Sequence, residues 1–229
     1  MLNEAERLAR LGFAIHWLHP KSKRPVGDNW STASVMSVER LRATWRDGRN
    51  VGVRLGKWSV VGGEFLHVID MDIRDAAYEK EAISALERMF PSFATYPAVQ
   101  SAPPGASRHF YITSDQPFSS KKLAHSDEKI RGTDGRWHWA WEIELFGTGK
   151  HVAIPPSIHP DTEKPYVCLR QVDADDIGLG LGPHGASSKL AALVGSDDRE
   201  PDNAEDDERV APIGLTVTEI RDILSDLPV

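Results

Sequence analysis

Residues 67–73 read HVIDMDI, and this stretch constrains the fold more than any other in the chain. Valine and isoleucine favour a strand, whereas aspartate is depleted in strands. Side chains alternate between faces along a strand. Ile69, Met71 and Ile73 therefore point one way, and Asp70 and Asp72 the other. A buried carboxylate without a partner is costly, so the acidic face must meet water or a cation. Two strand residues advance roughly 6–7 Å. Carboxylates at that spacing can reach a shared pair of metal ions about 3.5–4 Å apart. A strand with one solvated face accounts for the same pattern equally well.

Two further stretches alternate in the same way. In WHWAWEIEL, Trp137, Trp139, Trp141, Ile143 and Leu145 share one predicted face, and His138, Ala140, Glu142 and Glu144 share the other. In SRHFYI, Ser107, His109 and Tyr111 oppose Arg108, Phe110 and Ile112. A serine beside a histidine offers donors to phosphate oxygens, although a lone strand histidine also serves as a plain structural residue.

The remaining chain reads as α+β. A helix is expected over 3–11, with Ala5, Leu8, Ala9 and Leu11 on one face, then a strand in GFAIHWLHP. KSKRPVGDNWSTAS is a polar loop, and Ser37 caps a helix running to about Asp47. NVGVRLG is a short strand. DAAYEKEAISALERMF is an amphipathic helix with Ala77, Ile83, Leu86 and Phe90 near one face. TYPAVQSA and RHFYIT form a hairpin across PPGAS, and residues 121–135 form a charged loop. WHWAWEIELFG and HVAIPPS form another hairpin closed by GTGK, and YVCL is a last short strand. The pattern predicts a mixed sheet with helices on one side. The domain is expected to span residues 1–175. A Gly-rich and then acidic linker follows over 176–212, and an amphipathic helix restarts at 213–229.

Charge and composition narrow the function. The net charge is -7, but residues 197–208 alone hold eight acids and one arginine. Residues 1–172 hold 23 Lys and Arg against 20 Asp and Glu, which leaves a nucleic-acid partner open. The single cysteine, Cys168, excludes an intramolecular disulfide and a Cys-rich zinc site. No apolar run approaches the roughly 20 residues of a membrane span, and MLNEAERLAR lacks a signal-peptide core. A cytoplasmic protein with no membrane partner is expected.

The order D-x-D strand, S-x-H strand, acidic strand resembles the motif set of the archaeo-eukaryotic primase superfamily. Within it, the chain resembles the bifunctional primase/polymerase (prim-pol) N-terminal domain of plasmid, phage and prophage replication proteins. KSKRPVGDNW, NVGVRLG and HVAIPPSIHPDTEKPY fit that family as well, so the likeness covers roughly residues 3–170. It implies an RRM-like sheet with a flanking α/β unit. It also implies template-directed nucleotidyl transfer from NTP or dNTP on single-stranded DNA with Mg²⁺ or Mn²⁺. Carried over by position, Asp70, Asp72 and Glu144 are catalytic metal ligands, and Ser107 and His109 contact the triphosphate. Many family members have aspartate where Glu144 stands, and Glu142 competes for that role. Lys150 and His151 are further triphosphate candidates. Lys21, Lys23 and Arg24 form a loop that reaches phosphate or is simply solvated. Trp30 and the basic loop at 121–136 are template candidates, and His159 is a site residue or a turn histidine. TEIRDILSDLP resembles the start of a helical primase C-terminal domain, which implies a longer protein continuing toward a helicase.

Three other readings compete. A D-x-D glycosyltransferase leaves the S-x-H and PPS segments unexplained. A rolling-circle nuclease needs an H-x-H metal site, and HWLH does not provide the spacing. A non-catalytic nucleotide- or DNA-binding module would tolerate loss of a carboxylate, whereas here all three places are filled.

Overall fold

The computed structural model describes residues 1–173, except Ser92 and Thr133, together with residues 186–194. These all lie in one compact unit, Met1–Asp197; a second unit, Asp198–Val229, lies outside the described residues. Of the predicted linker over 176–212, residues 176–185 and 195–212 lie outside them, as does the predicted helix at 213–229.

The N-terminal part is a small sheet under two helices. Helix α1 (Leu2–Arg10) buries Ala5 and Leu8, as its apolar spacing requires. Helix α2 (Val38–Thr44) starts where the Ser37 hydroxyl accepts from the Arg40 amide at 3.2 Å. It stops three residues short of the expected end. Strands β1 (Ala14–Leu18) and β2 (Asn50–Arg54) pair antiparallel, with His16 opposite Gly52. A Cβ at Gly52 would run into the His16 imidazole, so glycine is needed for this close approach.

The larger sheet has seven strands. Strand β3 (Gly56–Val61) turns through Gly62 and Gly63, both at positive φ, into the long β4 (Glu64–Ile73). Strand β3 is an addition to the expected elements, and the Gly-Gly pair in VVGGEF is its local signal. A 3-10 turn at Ala76–Tyr78 leads into α3 (Glu79–Met89), which buries Ala82, Ala85 and Leu86. Phe90 is buried beyond its end. Ala77, expected on the same face, is exposed because it lies in the 3-10 turn.

Strands β5 (Ala98–Gln100) and β6 (Arg108–Ser114) form the expected hairpin. Residues 121–135 are not all loop: β7 (Lys121–His125) closes the far edge of the sheet, and β8 (Lys129–Arg131) begins a separate hairpin. The predicted strand 137–145 is broken at Ala140. Strand β9 (Trp137–Trp139) pairs with β8, whereas β10 (Trp141–Phe146) inserts between β4 and β7. At Ala140 the chain changes partners: its amide donates to the Glu128 carbonyl on the β8 side, while its carbonyl accepts from the Arg74 and Asp75 amides that follow β4.

Strand β11 (His151–Ala153) does not form a hairpin with β10. The turn through Gly147–Gly149 carries the chain across to the small sheet, where β11 pairs with β2. Strand β12 (Val167–Arg170) pairs with β5 at the other edge. Helix α4 (Ala186–Val194) buries Leu190 in the core that α3 covers. Every pairing among these strands is antiparallel, so the α+β class holds but the sheet is not mixed. No helix among the described residues is long and apolar enough to cross a membrane.

The two faces of β4 explain where a site can form. Ile69, Met71 and Ile73 join the core beneath α3 with Phe110, Ile112, Ile143 and Leu145. On the opposite face Leu66 and Val68 pack into the core shared with the small sheet. The cover ends there, and the next two residues on that face are Asp70 and Asp72.

Candidate functional site

Register places the carboxylates in rows across the sheet. Directly opposed residues on antiparallel strands share a face. The first row, Tyr111, Val68 and Phe146, is apolar. The second runs His109, Asp70, Glu144 and Lys122 over β6, β4, β10 and β7. The third has Asp72, Glu142 and His125, with Ser107 bonded at its end. Asp70, Asp72, Glu144, Ser107 and His109 are thus brought together: alternation predicts the shared face within each strand, and the register joins the three strands.

The hydrogen bonds separate the two aspartates. Asp70 is 3.3 Å from His109 Nε2 and keeps only 16% of its side chain exposed. Burial raises its pKa well above the usual carboxylate range, and Asp72, Glu144 and Glu142 add to the shift; Lys23 opposes it. Asp72 is held from two sides. Ser107 Oγ donates to its Oδ1 at 3.1 Å, and Arg74 lies 2.7 Å from its Oδ2. The Ser107 hydroxyl also accepts from the Ile73 amide at 2.9 Å, so this buried serine positions Asp72.

Glu142 and Glu144 have different surroundings. Glu142 bonds Arg74 at 2.5 Å and Lys122 at 3.2 Å. Those cations hold its carboxyl below the usual range despite burial. Glu144 sits opposite Asp70 on the row that has His109 at its other side.

His109 and His159 are buried and His151 is half-buried, and burial lowers the pKa of all three. His109 is 7% exposed, and burial, with Lys23 and His159 nearby, lowers its pKa to about 3. Its Nδ1 is buried without a hydrogen-bond partner among the described residues. His151 is depressed to about 4 by burial, Lys23 and Lys150. Its Nδ1 meets His16 Nε2 at 2.8 Å, and Trp30 packs on its ring at 4.6 Å. Trp30 is therefore part of a packed cluster and not an open platform. Lys150 Nζ lies 5.6 Å from the Phe146 ring centroid. His159 Nδ1 accepts from the Asp161 and Thr162 amides, which is the turn role, while its ring packs 5.6 Å from Tyr166 beside His109.

Two cations stand out that sequence reasoning underrates or misses. Lys23 acts electrostatically on Asp70, His109, His151 and His159 together. Its loop is fixed by Asn50, whose Nδ2 donates to the Ser22 and Ile158 carbonyls. Lys21, by contrast, pairs with Glu163 at 3.1 Å. Arg74 is the one missed, although positions 70, 72 and 74 share a strand period that leads to it. Arg108, expected on the opposite face, bonds the Gly105 and Ser107 carbonyls.

Among the described residues no three His, Cys, Asp or Glu side chains stand in ready-made ligand geometry. Asp72 and Glu142 are turned toward Arg74. The chemistry of the donor set still fits a hard divalent ion. It offers carboxylate oxygens from adjacent strands, and the charge penalty on Asp70 is one that a dication would offset.

Residues 5–179 match the family described as Bifunctional DNA primase/polymerase, N-terminal (Prim-Pol). The chain belongs to that family, whose members are nucleotidyltransferases of DNA replication that bind DNA and nucleotides and generally use divalent metals. A comparison with curated proteins finds no match.

Proposed function

We propose that the acidic face of the large sheet is a nucleotidyl-transfer site that adds NTP or dNTP to a 3′-hydroxyl on a single-stranded DNA template. The observation that supports it most is the row His109, Asp70 and Glu144, with Asp72 one step along the strand. In this reading residues 1–175 are the catalytic domain, and the seven-stranded sheet is its RRM-like core. Asp70, Asp72 and Glu144 hold the metal. Mg²⁺ or Mn²⁺ bound there supplies Lewis-acid stabilisation of charge on the phosphoryl group and a more acidic 3′-hydroxyl.

The protein's own residues position and neutralise. Ser107 orients Asp72, a narrower role than the triphosphate contact that the family likeness implies. His109, being neutral, offers a hydrogen bond and no charge. Cationic charge for a polyphosphate then falls to Lys23, with Lys150 beside His151. The apolar row of Tyr111, Val68 and Phe146 limits water on the small-sheet side.

The test is incubation with primed and unprimed single strands, labelled NTPs or dNTPs, and Mg²⁺ or Mn²⁺. Metal-dependent incorporation that EDTA abolishes is expected; no incorporation under any combination rejects the reading. The third carboxylate has its own test. Glu144→Gln is expected to lose activity by about 10²-fold or more, while Glu142→Gln, which removes one partner each from Arg74 and Lys122, loses less than about tenfold. Equal losses reject the choice of Glu144.

A further inference from the structure

Trp137 is 68% exposed, although its alternation with Trp141 predicts a core position. Trp141, after the break, is 3% exposed. One exposed side chain needs no explanation by itself, but an indole presents a flat face on which a planar partner can stack. Its neighbours indicate which partner. In the β8–β9 hairpin, Lys129 opposes Trp139 and Arg131 opposes Trp137. Opposed and alternate residues share a face, so two cations and two indoles lie together, with Ile130 and His138 on the reverse side. Lys129 Nζ sits 4.2 Å over the Trp139 ring.

This face joins the carboxylate sheet. His125 stacks on Trp139 with centroids 3.9 Å apart and planes 10° apart. The same His125 is directly opposite Glu142, which is directly opposite Asp72. A continuous path of side chains therefore runs from the acidic rows to the exposed indole.

We propose that this hairpin face is a platform for single-stranded DNA next to the transfer site. Trp137 stacks an unpaired base, and Lys129 and Arg131 neutralise phosphates. Aromatic rings beside cations suit a flexible strand, whose bases are free to stack; in a duplex the bases are already stacked on one another. The inference rests on the nucleotidyl-transfer reading for the identity of the strand as template.

The test measures binding of the full chain to fluorescent oligo(dT), without nucleotide, across a range of salt. Trp137→Ala is expected to weaken binding about tenfold, and Trp137→Phe to restore most of it. Lys129→Gln with Arg131→Gln should lower the salt slope by about 0.7 for each phosphate no longer neutralised. Trp137 is exposed, so its removal leaves the fold in place, and a circular dichroism spectrum confirms this. Parental affinity in Trp137→Ala, or an unchanged salt slope in the double variant, overturns the platform. So does an equal loss of binding to a blunt duplex. Failure of the transfer reading shows separately, as an Asp70 variant that incorporates nucleotide at the parental rate.

Discussion

Asp70→Asn is expected to reduce metal-dependent nucleotide incorporation by at least about 10³-fold while raising thermal stability in EDTA. The two effects have one cause. The Asp70 carboxylate is buried beside Asp72, Glu144 and Glu142, with Lys23 as the opposing charge. Its folded pKa is raised, so the ionised form is penalised at neutral pH, and the penalty is relieved as pH falls through that value. Asparagine has nearly the same shape and can still bond His109, but carries no charge to penalise. Each kcal/mol recovered corresponds to a rise of about 2–4 °C in a protein of this size. The gap between variant and parent should close below about pH 4, where aspartate is protonated in the unfolded chain too. Incorporation at the parental rate would remove Asp70 from the site. A lower melting temperature in EDTA would show that its charge stabilises the fold, contrary to the like-charge argument.

The second large effect is loss of stability in mild acid. Buried His16, His67 and His109 and half-buried His151 all have lowered pKa values, about 2 for His16, about 3 for His109 and about 4 for His67 and His151. Burial is the main cause in each case. The sign follows from proton uptake. Above about pH 6.5 neither state binds a proton at these rings, and they contribute nothing to the pH dependence. Below it the unfolded chain takes up protons that the folded chain refuses. Stability then falls by up to about 1.4 kcal/mol per pH unit for each histidine, until its folded pKa is reached. All four act together down to about pH 4, and Asp70 acts in the opposite direction. Urea midpoints measured at pH 7.5, 6 and 5 should therefore decline steeply. His67 is a useful probe because it packs against Phe118 on the core side of β4, away from the acidic rows. His67→Gln should make the slope between pH 6 and 5 shallower. A midpoint that stays constant from pH 7.5 to 5 would contradict neutral burial.

The candidate site was legible because its geometry is mostly that of single strands. Period two alone puts Asp70 and Asp72 on one face, Glu142 and Glu144 on one face, and Ser107 with His109. The same period extended by one step leads to Arg74. What failed were inferences that crossed from one strand to another. WHWAWEIEL alternates without interruption, yet the chain changes sheets at Ala140, whose amide bonds Glu128 beside one sheet while its carbonyl bonds the residues after β4 in the other. That break leaves Trp137 in solvent and Trp141 in the core. HVAIPPS follows an acidic strand across a glycine turn and has the pattern of a hairpin, yet β11 pairs with β2, about a hundred residues earlier. Nothing local distinguishes these outcomes.

From sequence alone the chain determined which residues each strand shows to the same side, which helix faces are apolar, and that several carboxylates must find compensation. Those properties follow from backbone stereochemistry within a few residues. Tertiary structure alone decided that Glu144 lies opposite Asp70, that Lys23 comes within electrostatic reach of both the aspartate and the histidines, and that Glu142 is occupied by Arg74 and Lys122. Strand partners and register are chosen by burial summed over two cores, so the fit of the whole sheet decides them and no single segment can.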